Sequence, residues 1–318
     1  MADDLLPDIR RFQTTLAERY AAYPPLDSVG LTEARRIAEA VRAPLTEGGP
    51  AMVQTEEHRI DTGLAGHGSL RLRLYRPDNN TPLPALLYLH GGGWVFFSLD
   101  THDRLMRELA QRAGRVVIGI DYALSPEARF PVALEQTVAA WRWAQAQAAV
   151  LGLDAGRIAL GGDSAGANLA LAAALLLRDR HGAAPDAMLL NYGVYSDDDD
   201  SESFSRFDGP GYTLGRDEMR FFWRQYLGEA AGRHEPLAMP LHAALQGLPR
   251  ACLVVAECDV LRDGSLALAE RLGAAGVDVT LQRHPGATHS FLEAVSWSPT
   301  AANALAQAGA WLRAGAPA

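Results

Sequence analysis

The chain is poor in the features that would assign it to several common classes. It has two cysteines in 318 residues, Cys252 and Cys258, both inside the apolar run "ACLVVAEC". Six residues of extended strand span roughly 20 Å, whereas the Cα atoms of a disulfide lie within about 7 Å. The two are therefore read as reduced core thiols of a cytoplasmic protein. Positive charge is also in deficit: 29 Lys+Arg against 38 Asp+Glu give a formal net charge of −9. Such a field repels phosphate backbones and anionic bilayers, which argues against nucleic acid and membrane surfaces as partners. Long apolar runs are missing too. The longest, "LALAAALLL" from Leu169 to Leu177, falls short of the roughly 18 residues that a membrane span needs. The N-terminal "MADDLLPDIRRF" begins with acids where a secretory signal would carry bases.

What remains is a βαβ rhythm. "SLRLRLY" (Ser69–Tyr75) alternates like a half-exposed strand, while "PALLYLH", "RVVIGIDY", "RIALGGD", "AMLLNYG" and "ACLVVAEC" are short, nearly continuous apolar runs suited to a sheet covered on both faces. Helical stretches at 103–113 and 132–148 fall between them. The rhythm predicts an α/β fold with a mostly parallel, doubly wound sheet flanked by helices. Two regions break it: residues 1–45, read as two amphipathic helices around "YPPLDS", and 196–239, rich in acids and aromatics around "DGPGY". Together they are read as a helical cap over the C-terminal edge of a single catalytic core formed by 46–195 and 240–318.

The chemistry concentrates at strand ends. "GGDSAGANLALAAALLL" runs from a strand through Gly162-Asp163-Ser164-Ala165-Gly166 into a helix. Gly-x-Ser-x-Gly in that context is a nucleophile elbow, a tight turn that lifts the serine hydroxyl above the sheet. A serine needs a base, and the base needs an acid, each following a later strand. After "ACLVVAEC" the acid candidates are Glu257, Asp259 and Asp263, and Asp259 is preferred as the first residue past the run. After "VDVTLQRH" the strand is expected to stop at Pro285-Gly286, leaving His289 in the loop; His284 is the rival, held in the strand end. Negative charge on a reacting carbonyl would need bare N–H groups. Ala165 offers one, and the triple glycine of "LLYLHGGGWVFF" offers Gly92 and Gly93, with His90 as an anchor for that loop.

"HGGGW", "DYALSPEARFP", "GDSAG", "ECDVLRD" and "GATHSF", in this order, resemble the hormone-sensitive-lipase family of α/β-hydrolases. "LDTHDRLMRELA" and "NYGVYSDD" make the chain most similar to its bacterial acetyl esterases. The resemblance implies an eight-stranded-type α/β-hydrolase sheet, and a carboxylesterase cleaving short acyl esters through an acyl-enzyme. It places the nucleophile, acid and base on Ser164, Asp259 and His289, and the oxyanion donors on Gly92, Gly93 and Ala165. Three positions depart from its commonest pattern: Phe97 and Ser290 stand where relatives often carry glycine, and Val260 where they often carry proline. The family's triad also serves amidases and peptidases, and some relatives are non-catalytic receptors.

Trp94, Phe97, Tyr195, Phe207 and Phe222 are the aromatic candidates for lining the substrate pocket. Asp163 is read as a hydrogen-bonded brace. "DTHD" (100–103) suits a helix N-cap better than a metal site, and 197–200 a solvated loop, so neither a metal nor a cofactor is expected. A small ester is the expected partner, and a homodimer is compatible with the sequence.

Overall fold

The computed structural model describes residues 4–228 and 235–315. Eight strands form one sheet: β1 (Gln54–Asp61), β2 (Ser69–Arg76), β3 (Leu83–Leu89), β4 (Val116–Asp121), β5 (Leu153–Asp163), β6 (Met188–Asn191), β7 (Ala251–Cys258) and β8 (Val279–Thr288). Their order is β1-β2-β4-β3-β5-β6-β7-β8. β2 is antiparallel to both β1 and β4, and every later pairing is parallel. This is the α/β-hydrolase arrangement, and it sends the C-terminal ends of β3, β5, β7 and β8 to one edge.

β1 escapes the apolar pattern because it has no apolar pattern. "QTEEHRID" forms an edge strand with one buried residue, Ile60, held by ion pairs from Glu57 to Arg71 and Arg73 on β2. β8 corrects the expected strand end: it runs past Pro285-Gly286 to Thr288. The pairing with β7 shifts between Ala256↔His284 and Cys258↔Thr288. The proline and glycine therefore occupy a bulge on an edge strand, where a missing N–H costs no ladder bond.

Helix α3 (Asp103–Ala113) packs on the helix Pro299–Ala314, and α4 (Val132–Ala146) on α5 (Ala165–Leu176). α5 is buried along its whole length, which its alanines, leucines and one glycine permit. His102 stands at the N-cap of α3 without a side-chain cap bond, so "DTHD" does not cap the helix as expected; Asp103 instead accepts from Tyr75 and Arg107.

α1 (Pro7–Tyr20) and α2 (Leu31–Arg42) bury Ile9, Phe12, Leu16, Ile37 and Val41 in the common core. α6 (Glu202–Phe207) and α7 (Arg216–Leu227) belong to the other non-rhythmic region, of which 229–234 lie outside the described residues. α7 stacks Tyr226 on Trp94 at 4.2 Å, and the Arg35 guanidinium of α2 donates to Val95 O and Ser125 O. Both helices thus press on the loop that follows β3. We propose on this ground that the two regions act as one cap. No helix among the described residues is long and apolar enough to cross a membrane.

Candidate active site

Three strand ends deliver three side chains to one point. Ser164 joins β5 to α5 at φ 54° and ψ −120°, a backbone state that disfavours any side chain and is kept only where the surroundings over-determine it. Glycines make those surroundings dense. A Cβ on Gly162 would lie 2.5 Å from Gly166 C, and one on Gly166 would lie 2.0 Å from Leu89 O. β3, β5 and α5 therefore touch backbone to backbone, and the serine has nowhere to go but outward.

Asp259 follows β7 directly, and its Oδ1 accepts from Leu261 N at 3.0 Å. Its other oxygen lies 2.6 Å from His289 Nδ1, while His289 Nε2 lies 3.0 Å from Ser164 Oγ. A carboxylate can only accept, so Nδ1 carries the proton and Nε2 of the neutral ring accepts from the serine hydroxyl. All three side chains belong to buried residues. Burial by itself lowers the His289 pKa, but the charge and hydrogen bond of Asp259, with Asp163 and Glu293 behind it, raise the net value above that of an ordinary histidine. The rival groups lie elsewhere: Glu257 pairs with Arg283, Asp263 with Arg262 and the Ser203 N–H, and His284 packs against Phe291.

Ser290 explains one departure from the glycine pattern, and Phe97 the other. Their φ angles are 61° and 73°, the left-handed region where glycine is at ease and other residues cost on the order of 1–2 kcal/mol. Both positions therefore adopt a conformation that suits glycine.

The triple-glycine loop is built more tightly than substrate approach alone would demand. A Cβ on Gly91 would meet Asp163 Oδ2 at 2.5 Å, one on Gly92 the Phe96 carbonyl at 2.2 Å, and one on Gly93 the Phe222 ring at 2.3 Å. The glycines are required by the chain's own packing. Three of its carbonyls are occupied: Gly91 O by His90 Nδ1, Gly92 O by Val95 N and Phe96 N, Trp94 O by Ser125 N. Gly92 and Gly93 N–H donate to no acceptor among the described residues, and Ala165 N–H, at the first position of α5, has no intrahelical partner. These three amides are free to meet an anionic oxygen.

Below the elbow, Asp163 accepts from Tyr88 OH at 2.9 Å and faces His102 Nε2 at 3.3 Å. Burial opposes charge on both groups, yet each stabilises the other's ion: Asp163 titrates below its ordinary range and His102 above its own. Burial, with the neighbouring His102, drives His90 down to about 3, so it stays neutral and stacks on Tyr122 at 4.3 Å.

Of the aromatic candidates, Phe222 and Phe97 flank the glycines. Trp94 is buried, stacked on Tyr226 and tilted against Trp223, and Tyr195 is packed against Gly193. Phe207 lines a separate cavity of about 310 Å3 with Asp4, Cys258 and Arg262, which includes none of Ser164, Asp259 or His289. Sequence reasoning passed over Thr213, whose hydroxyl donates to His289 O at 3.0 Å, and Tyr192, whose ring packs edge-on against His289 at 5.1 Å. Thr213 carries no local motif, and Tyr192, though inside "NYGVYSDD", has no spacing that ties it to His289. Among the described residues no group of three or more His, Cys, Asp or Glu side chains is placed to hold a metal ion.

A family profile described as the alpha/beta hydrolase fold matches residues 86–293. An ethyl acetate hydrolase of Pseudomonas putida is 43% identical over 233 residues, 71% of this chain and 72% of its own. An acetyl esterase of Salmonella paratyphi B is 41% identical over 229 residues, 71% of this chain and 70% of its own. A hyperthermophilic esterase of the archaeon Pyrobaculum calidifontis superposes with a TM-score of 0.90 at 32% identity, covering 98% of both chains. A thermostable esterase of Pseudomonas putida gives 0.91 at 32% identity over 100% of this chain and 99% of that one.

Proposed function

The chain belongs to the alpha/beta hydrolase fold family and is a carboxylic ester hydrolase, and from that premise we propose that it cleaves short-chain, acetyl-type esters through an acyl-enzyme on Ser164, in the manner of the hormone-sensitive-lipase family. The observation that carries this reading is the unbroken chain of contacts from Asp259 Oδ2 to His289 to Ser164 Oγ, at 2.6 and 3.0 Å.

Ser164 Oγ attacks the ester carbonyl carbon as its proton passes to His289 Nε2. The carbonyl oxygen, now anionic, takes hydrogen bonds from the Gly92, Gly93 and Ala165 amides, each of order 3 kcal/mol to the transition state. Asp259 steadies the imidazolium without taking its proton. The imidazolium then protonates the departing alkoxide, leaving Ser164 acylated. Water enters, gives its proton to His289 and attacks the acyl carbon, and the collapse returns the proton to Ser164 as the acid leaves. The small acyl group is supported by the Phe222 ring pressed on Gly93 and Phe97 beside Gly92, and by the acetate-type relatives.

A chain-length series of p-nitrophenyl esters tests the substrate class. The expected order has acetate and butyrate well above octanoate and longer; a maximum at long chains overturns the short-chain reading. Ser164→Ala is expected to lose the burst of p-nitrophenol and all labelling by a fluorophosphonate, and turnover retained by that variant overturns the nucleophile.

A further inference from the structure

Arg42 ends α2, outside the stretch matched by the family profile, and yet its charge lies in the interior. Its Nη1 donates to Glu293 Oε2 at 2.8 Å, with 6% and 4% of the two side chains exposed. A buried ion pair is rarely more stable than well-packed apolar groups of the same volume, so its presence asks for a role besides holding the fold.

Besides Tyr20 of α1, two neighbours of the guanidinium lead to the two halves of the site. Glu293 lies in the 3₁₀ turn Phe291–Ser296 that follows His289, and its N–H donates to Ser290 O at 3.1 Å. On the other side the Arg42 guanidinium carbon sits 5.0 Å over the Phe97 ring, within cation–π range. That ring lies against Gly92 so closely that a Cβ there would be 2.8 Å from its Cδ2. One guanidinium therefore touches both the turn that carries the base and the loop that carries the amides.

We infer that Arg42 is a positioning residue for ester hydrolysis: from the N-terminal helix it holds the amide loop, through Phe97, in register with His289, through Glu293. The inference rests on the reading of Ser164 and His289 given above. Lysine could keep the ion pair but offers no flat face to stack, so Arg42→Lys separates the clamp from the charge. Phe97→Leu removes the ring and leaves the ion pair untouched.

The test measures kcat and KM for p-nitrophenyl acetate per active site titrated with a fluorophosphonate, alongside melting curves, for wild type, both variants and their combination. The expected result is a fall in kcat per site of about tenfold or more in each single variant, with KM within about twofold and no further loss in the double variant. A merely structural role would lower the melting point and the titratable fraction while leaving kcat per site alone. Either single variant at wild-type kcat per site, or losses that multiply in the double, overturns the clamp. Should Arg42→Lys not fold, Phe97→Leu alone decides it. Failure of the fluorophosphonate to label the wild type would instead sink the nucleophile assignment, so the two failures are told apart.

Discussion

At the scale of single residues, His289 has the most measurable environment. Its pKa is raised because Asp259, Asp163 and Glu293 together outweigh burial. As the proposed general base His289 must be neutral, so kcat/KM should fall as pH drops through that raised value, with an acid limb centred above the ordinary histidine pKa of about 6.5. For stability the sign is the reverse. The imidazolium–carboxylate pair contributes fully below the unfolded value and the contribution is lost as pH climbs through the folded one. A pH–rate profile checks the first statement: a midpoint below 6.5, or one that Asp259→Asn fails to lower, contradicts it. Asp259→Asn should also cost roughly 10⁴ in kcat, because the ring loses the carboxylate that fixes its tautomer. These residues were legible because each is a polar group stationed just past a strand. Arg42 and Glu293 were not, since 251 positions separate them and neither sits in a motif.

At the scale of elements, two glycines separate architecture from chemistry. Gly166→Ala must displace the Leu89 carbonyl at 2.0 Å, and β3 sits in the middle of the sheet with no slack. Overpacking of this kind costs about 1–3 kcal/mol or more, and the expected outcome is loss of soluble, cooperatively melting protein. Gly93→Ala meets a side chain instead, the Phe222 ring at 2.3 Å, at a φ of 59°. That variant is expected to fold but to lose on the order of 10²–10³ in kcat, with part of the loss recovered by adding Phe222→Ala. Melting curves and kcat per titrated site read both; equal behaviour of the two variants contradicts the distinction. Elements with an apolar signature were legible in the sequence, down to the ends of α3. β1 was not, because ion pairs with β2 stand in for apolar alternation, and the end of β8 was not, because a bulge absorbs the Pro-Gly that ordinarily stops a strand.

For the whole molecule, the question is whether the N-terminal helices are a detachable layer. Ile9, Phe12, Leu16, Ile37, Val41 and Leu45 are all buried in the common core. Burial of each is worth about 1.5–3 kcal/mol, which together is on the order of an entire protein's net stability. Deletion of residues 1–45 is therefore expected to abolish folding; a truncated chain that melts cooperatively and hydrolyses p-nitrophenyl acetate at the full-length rate would show the segment to be dispensable.

The sequence by itself determined the fold class and singled out the serine, carboxylate and histidine at the strand ends, because strand periodicity and the setting of a glycine-bounded serine are local properties. Only the tertiary structure decided which aromatics meet the glycine loop, why three glycines stand there, and that an arginine from the second helix reaches both halves of the site. Those are matters of distance between residues far apart in the chain, and no local pattern encodes a distance.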